Sequence, residues 1–282
     1  EKFRKIDFDL SNLFKDWFNR GFLILKPIDW ETPANILEKI IQYEAVHQIG
    51  SWEELRSRLE PDDRKCFAYF HPAMEDEPLI FIEVALTKEI PRTINDILNT
   101  NRLKLESQEA STAVFYSISN CQKGLQGISF GNFLIKQVAK ELENSFSKLK
   151  TFVTLSPVPG FMNWLKDNNN KLYKKMEKNL NASNIKKNKN LIQKSILEYF
   201  FISHRKDKLP NDPVARFHLG NGAILQDINF FGDMSEKGLN QSLCFMVNYL
   251  YDLEEVEKYH EKYVLDKKIN ASKKLLKEFQ TS

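Results

Sequence analysis

The chain has 282 residues, 12% of them aromatic and 21 of them Phe, enough apolar material for a substantial core in one large domain or a domain with additions. Its 41 Lys and Arg against 38 Asp and Glu leave a formal charge of +3, a balance that argues against a general nucleic-acid binder while leaving room for local basic patches. No apolar run approaches the ~20 residues of a membrane span, and Cys66, Cys121 and Cys244, with no CxxC pair among them, suit free thiols in a reducing compartment, not a disulfide framework or a structural zinc site.

In chain order, residues 10–60 read as helical with a short strand, FLIL, at 23–26. Thr32-Pro33 reads as an N-cap followed by proline at N1, and Ser51-x-x-Glu54 as a capping box. Strands are expected at 65–70, 79–87, 113–118, 151–155, 223–230 and 243–250, with a helix at 93–98. Residues 166–194 are rich in Lys and Asn and read as a solvated, partly mobile excursion. Pro213 opens a short helix through Phe217 that Gly220-Asn221-Gly222 terminates. The tail from Glu254 to Phe279 is charged and helical. The first residue is Glu1, not Met, which reads as a processed or truncated chain whose upstream signals lie out of sight.

The most informative stretch runs from Ala113 to Phe161. A strand, AVFYSISN, leads into CQKGLQGISFGN, which carries Gly124, Gly127 and Gly131. The helical segment after it places Leu134, Val138, Leu142 and Phe146 four apart, one apolar stripe. A second strand follows and stops at Pro157 and Pro159. A glycine-rich turn feeding a helix N-terminus leaves backbone N–H groups free for an anion. The unit therefore reads either as a pyrophosphate cradle formed by Gln126, Gly127, Ile128, Ser129, Phe130, Gly131 and Asn132, or as a plain connection. Its spacing is neither GxGxxG nor GxxxxGK[ST], so neither of those nucleotide classes is supported. It loosely resembles the acyl-CoA loop of the GNAT acetyltransferases, R/Q-x-x-G-x-G/A, with Gly124 where Arg or Gln belongs and Ser129 in the last small position.

Longer words carry a closer resemblance. HPAMEDEPLIFIEVALT (71–87), FYSIS (115–119), GLQGISFGNFLIKQV (124–138), LSPVPGF (155–161) and NDPVARFHLGNGA (211–223), with GFLILKPIDWETPANILEKIIQYEAVH (21–47) before them, together resemble the malonyl-CoA decarboxylase family over about Asp9 to Tyr251. The resemblance implies an α/β (α+β) architecture: a GNAT-like acyl-CoA-binding fold with a central mixed sheet flanked by helices. A helical entry segment would occupy 1–60 and the catalytic domain 61–282. It implies a carbon–carbon lyase of fatty acid metabolism that converts malonyl-CoA to acetyl-CoA and CO2, with no cofactor beyond the CoA of its own substrate and no metal. It implies a homo-oligomer assembled through a helical domain that precedes the catalytic half and is missing here. The compartment would be the cytoplasm, or a mitochondrion or peroxisome in a eukaryote. In the family the 166–194 interval is generally longer and helical.

Breaking the malonyl C–C bond leaves a carbanion that delocalises into the thioester as an enolate. The site needs donors at the thioester oxygen, a group to orient the carboxylate, and a proton donor for carbon. Taken alone, Ser156 before Pro157 reads as a turn residue, and His218 between Phe217 and Leu219 as a core histidine. Matched to the family's SPxPGF and F-H-L-x-N-G words, they take the roles of catalytic serine and catalytic histidine, the latter expected to titrate near neutrality. The other histidines rank lower: His47 and His71 lie outside catalytic positions, and His204 and His260 are expected in charged helices. Ser117 and Tyr251 match positions lining the acyl pocket, and equally read as ordinary strand residues. Asn221 and Asn248 either donate to the thioester oxygen or cap turns. Many relatives, animal enzymes among them, carry Glu where this chain has Ser129, which puts in doubt any essential role for that carboxylate here. Two alternatives stand beside this reading: a GNAT-type acyl-CoA N-acyltransferase, for which no base is as well placed as His218, and a silent acyl-CoA-binding module, against which intact Ser156 and His218 argue.

Overall fold

The structure, a computed structural model, describes residues 2–18, 20–125 and 133–281. Its elements in chain order are α1 (Lys2–Trp17), β1 (Ile24–Ile28), α2 (Ala34–Tyr43), α3 (Trp52–Leu59), β2 (Arg64–His71), β3 (Met74–Thr87), α4 (Asn95–Leu98), β4 (Thr112–Asn120), α5 (Phe133–Ser145), β5 (Thr151–Thr154), β6 (Ser156–Pro157), α6 (Phe161–Asn168), α7 (Asn170–Glu177), α8 (Ala182–Lys187), α9 (Lys189–Phe201), α10 (Pro213–Gly220), β7 (Ile224–Asn229), α11 (Glu236–Ser242), β8 (Met246–Tyr251), α12 (Val256–Asp266) and α13 (Lys273–Thr281). The chain divides into two compact units, Glu1–Glu89 with Thr100–Lys150, and Ile90–Asn99 with Thr151–Ser282. Residues 1–60, expected as a helical entry segment leading into the catalytic domain, lie within the first unit and include β1, α2 and α3.

In the first unit, β1 to β4 pair in order, each antiparallel to the next. Pro27 is tolerated in β1 because this strand pairs on one side only, with Phe67 opposite the proline. On β2, Cys66, Ala68 and Phe70 face one way and pack with Ile36, Leu37 and Ile40 of α2 and Leu55 and Leu59 of α3. Tyr69 belongs to the alternate set, and its hydroxyl donates to the carbonyl of Leu134 on α5. The α5 stripe is buried as its periodicity predicts, Leu134, Val138, Leu142 and Phe146 all being core residues. At roughly 1.5–3 kcal/mol for each large apolar side chain, such a stripe outweighs the helix propensity of the segment.

The capping expectations fare differently. Ser51 Oγ accepts from Glu54 N at 3.1 Å, while the Glu54 carboxylate reaches back one residue further than a capping box requires, to Gly50 N at 2.8 Å. Thr32 does not cap α2: its hydroxyl accepts from Asp29 N, closing a local turn, and Pro33 occupies the cap position.

The second unit is built around β8. β5 and β6 lie in succession along one of its edges and β7 along the other, all antiparallel. The 166–194 stretch is helical and not a solvated excursion. Its Lys residues face water, whereas Leu172, Met176, Ile185 and Ile192, and with them Asn188, are buried, and Asn169 and Asn181 cap α7 and α8 by accepting from Leu172 N and Asn184 N. His204 lies beyond α9, in an isolated bridge to Pro210, and not in a helix. No helix among the described residues is long and apolar enough to cross a membrane.

Candidate active site

Ser156, His218, Asn221 and Tyr251 lie in the second unit. β5 ends at Thr154 and β6 begins at Ser156, so these two hydroxyls, two positions apart, share a face. Tyr249 and Tyr251 share a face of β8 in the same way. His218 arrives on α10, where Asp212 caps the helix by accepting from Ala215 N at 2.8 Å and Pro213 fills the first turn. The far end of α10 is fixed too. His260 Nδ1 donates to the Gly220 carbonyl, and Gly222, at φ +80°, turns the chain into β7.

Folding brings Ser156 and His218 together across 62 positions, with Oγ and Nε2 at 3.2 Å. Both are buried. Ser156 Oγ lies 2.9 Å from Thr154 Oγ1, which also accepts from Tyr249 N. His218 Nδ1 lies 2.8 Å from the Tyr251 hydroxyl, and the Tyr249 ring stacks on the imidazole at 4.7 Å. Tyr251 in turn bonds the side chain of Asn221.

The chain Thr154–Ser156–His218–Tyr251 is satisfied in two directions. Either Tyr251 donates to Nδ1, Nε2–H to Ser156, and Ser156 to Thr154, or every proton points the other way. A neutral imidazole serves both. Burial depresses the His218 pKa to about 3, so the expectation of a histidine titrating near neutrality does not hold for the buried ring. Burial likewise raises the Tyr251 phenol well above its ordinary value, leaving it a proton donor at neutral pH.

Asn221 is buried and engaged with Tyr251. Asn248 has no donor to spare: its amide donates to the carbonyls of Thr154, at 2.9 Å, and Pro91, at 3.3 Å, and its oxygen accepts from Asn229. It fixes β8 to its neighbours and is excluded as a donor to a thioester oxygen. Ser117 belongs to the first unit, where its hydroxyl donates to the Glu44 carboxylate at 2.7 Å; Ser119 and the backbone of Val46 and His47 donate to the same group. The expected cradle, Gln126, Gly127, Ile128, Ser129, Phe130, Gly131 and Asn132, lies outside the described residues. Among the described residues no three His, Cys, Asp or Glu side chains form a group that could hold a metal ion.

Thr154, Tyr249 and Asp212 were not expected at the site. Two signals were available: the period-2 pairing of Thr154 with Ser156 and of Tyr249 with Tyr251, and the Asp-Pro start of a helix that carries a histidine.

The C-terminal domain of malonyl-CoA decarboxylase is the family model that matches this chain, over residues 21–282. The chain is 35% identical over 301 aligned residues to the mitochondrial malonyl-CoA decarboxylase of Anser anser anser, a match covering 95% of this chain and 60% of that protein. It is also similar to the crystal structures of malonyl-CoA decarboxylase from Rhodopseudomonas palustris (48% identity, TM-score 0.91, covering 97% of this chain and 70% of that one) and Agrobacterium vitis (49%, TM-score 0.89, 96% and 70%). The GNATL loading domain of CurA from Lyngbya majuscula, at 14% identity and TM-score 0.52 over 83% of this chain and 99% of that one, shares the fold alone. The chain thus spans about 60% of the curated relatives' length.

Proposed function

Since this chain belongs to the malonyl-CoA decarboxylase family, as its C-terminal domain, we propose that it decarboxylates malonyl-CoA to acetyl-CoA and CO2 through a thioester enolate, without a metal. The observation that supports this most is the contact between Ser156 and His218 at 3.2 Å inside a buried, hydrogen-bonded chain. A buried serine and a buried neutral imidazole suit proton delivery to carbon. The Ser156 hydroxyl, a neutral donor, can orient the malonyl carboxylate for cleavage.

The depressed pKa of His218 gives this reading a mechanism. A malonyl carboxylate brought beside the ring favours its protonated form, so one proton enters with the substrate. C–C cleavage expels that carboxylate as CO2 and leaves the electron pair on the α-carbon, delocalised to the thioester oxygen. The imidazolium then faces the enolate's negative charge, in buried surroundings that favour the neutral ring. It gives its proton, directly or through Ser156, to the carbon, and acetyl-CoA results. Asn221 is the donor proposed for the enolate oxygen. The test is incubation with malonyl-CoA while following CO2 and acetyl-CoA; transfer of the acyl group to an amine instead would point to an acyltransferase.

The CoA pyrophosphate is assigned to the backbone of Gln126 to Asn132, immediately before the 13-residue helix α5. Gly127→Val should weaken acetyl-CoA binding by about 10-fold or more in a folded protein, as read by titration calorimetry. Unchanged affinity would remove the cradle from the mechanism. Turnover should also survive exhaustive chelation, because fixed hydrogen-bond donors can stabilise an enolate oxygen. Loss of activity with chelator, restored by one divalent ion, would show a metal requirement.

A further inference from the structure

We propose that Asp212 is the positioning residue that sets the spacing of Ser156 and His218, by tying the turn after the serine to the first turn of the helix that carries the histidine. Asp212 is 1% exposed. One carboxylate oxygen accepts from Ala215 N at 2.8 Å and the other from the Tyr199 hydroxyl at 3.3 Å, and the backbone N–H groups of Val214 and Gly160 donate to the same carboxylate. Val214 and Ala215 open α10, and Gly160 lies in the Val158–Phe161 turn that leads from β6 into α6. Tyr199 brings in α9, its ring packed on Phe161 at 5.7 Å and Trp164 at 5.3 Å.

A helix cap alone does not explain this arrangement. Capping needs one acceptor, and a neutral Ser or Asn supplies it without the cost of a buried carboxylate. That cost is visible here, since burial pushes the Asp212 carboxyl up to about 6. The second oxygen is engaged by elements outside α10, and what it fixes is the separation of two motifs remote in sequence. Gly160 shows how tight the knot is: a Cβ there would lie 2.3 Å from the Tyr199 hydroxyl oxygen. At 3.2 Å the Ser156–His218 contact is already at the long end for a hydrogen bond, and a shift of about 1 Å abolishes it.

The kinetic arm of the test rests on the proposed function; the spectroscopic arm does not. Asp212→Asn retains an oxygen to cap Ala215 but offers an NH2 group where Gly160 and Tyr199 now donate. We expect kcat for malonyl-CoA to fall about 10-fold or more with KM changed less than about 3-fold. The 15N resonances of the His218 ring should move toward those of a free imidazole. Gly160→Ala should impair kcat similarly, because its clash with the Tyr199 hydroxyl pushes the Gly160 N–H away from Asp212. Adding Tyr199→Phe removes the clashing oxygen, leaves the ring carbon that bore it 3.5 Å from the new methyl group, and should restore most of the rate. A folded Asp212→Asn variant with kcat and ring resonances unchanged would overturn the proposal. So would a double variant no better than Gly160→Ala. A wild-type chain that leaves malonyl-CoA untouched would overturn the proposed function instead, and the ring spectrum would then decide the role of Asp212 by itself.

Discussion

Ser156→Ala and His218→Asn should each lower malonyl-CoA turnover by roughly 10²-fold or more, with smaller effects on CoA binding. The expectation follows from geometry. The two side chains meet at 3.2 Å, and each has a further partner inside the same buried chain, Thr154 for the serine and Tyr251 for the histidine. Removing either end interrupts one proton path, so the double variant should be little worse than the more damaged single one. Independent, multiplying losses would mean that the two residues act in separate steps. A fully active His218→Asn variant would dismiss the histidine altogether.

The pH dependence sharpens this test. Because burial holds His218 near a pKa of 3, kcat/KM, which reports the free enzyme, should show no histidine ionisation between pH 5 and 8. The same shift acts on stability. Between about pH 6.5 and 3 the unfolded chain takes up a proton at His218 that the folded chain refuses. This group's contribution is therefore full above about 6.5 and is lost as pH falls through that window. A clear ionisation of His218 near 6.5 in the ligand-free protein would contradict the buried, neutral ring.

How much of this was legible in the sequence depends on the range of the interaction involved. The α5 stripe declares itself because Leu134, Val138, Leu142 and Phe146 repeat at the helix period and all point into one core. Ser156 and His218 are legible only as parts of longer words; no local pattern says that a turn serine and a helical histidine will meet. The 166–194 helices were missed because Lys and Asn dominate the composition there. Four buried apolar side chains, Leu172, Met176, Ile185 and Ile192, hold the segment down, and they are too sparse to stand out. Thr32 illustrates the converse: a good capping residue beside a proline was captured by the turn before it, through Asp29 N. The protonation of His218 was out of reach because it is set by burial among Tyr249, Tyr251 and Ser156, which come from other strands.

Gly222→Ala should destabilise the chain severely and take activity with it. Gly222 sits just past α10 at φ +80°, a conformation that costs an L-residue about 1–2 kcal/mol. Its surroundings add a second penalty of a different kind. A Cβ would lie 2.0 Å from the carbonyl oxygen of Val256 and 2.7 Å from its side chain, at the start of α12. Backbone cannot rotate aside as a side chain can, so α10 and α12 must separate, and overpacking of this sort costs about 1–3 kcal/mol more. A combined loss of about 2–5 kcal/mol is a large part of the stability of an ordinary domain. Since α10 carries His218, its displacement also lengthens the contact with Ser156. Gly124 is the control for stability: nothing lies within 4 Å of a Cβ built there and its φ is not in the left-handed region, so Gly124→Ala should leave the urea midpoint nearly unchanged. If Gly222→Ala unfolds at the same urea concentration as the parent chain, the tight turn that positions α10 is not what the structure describes.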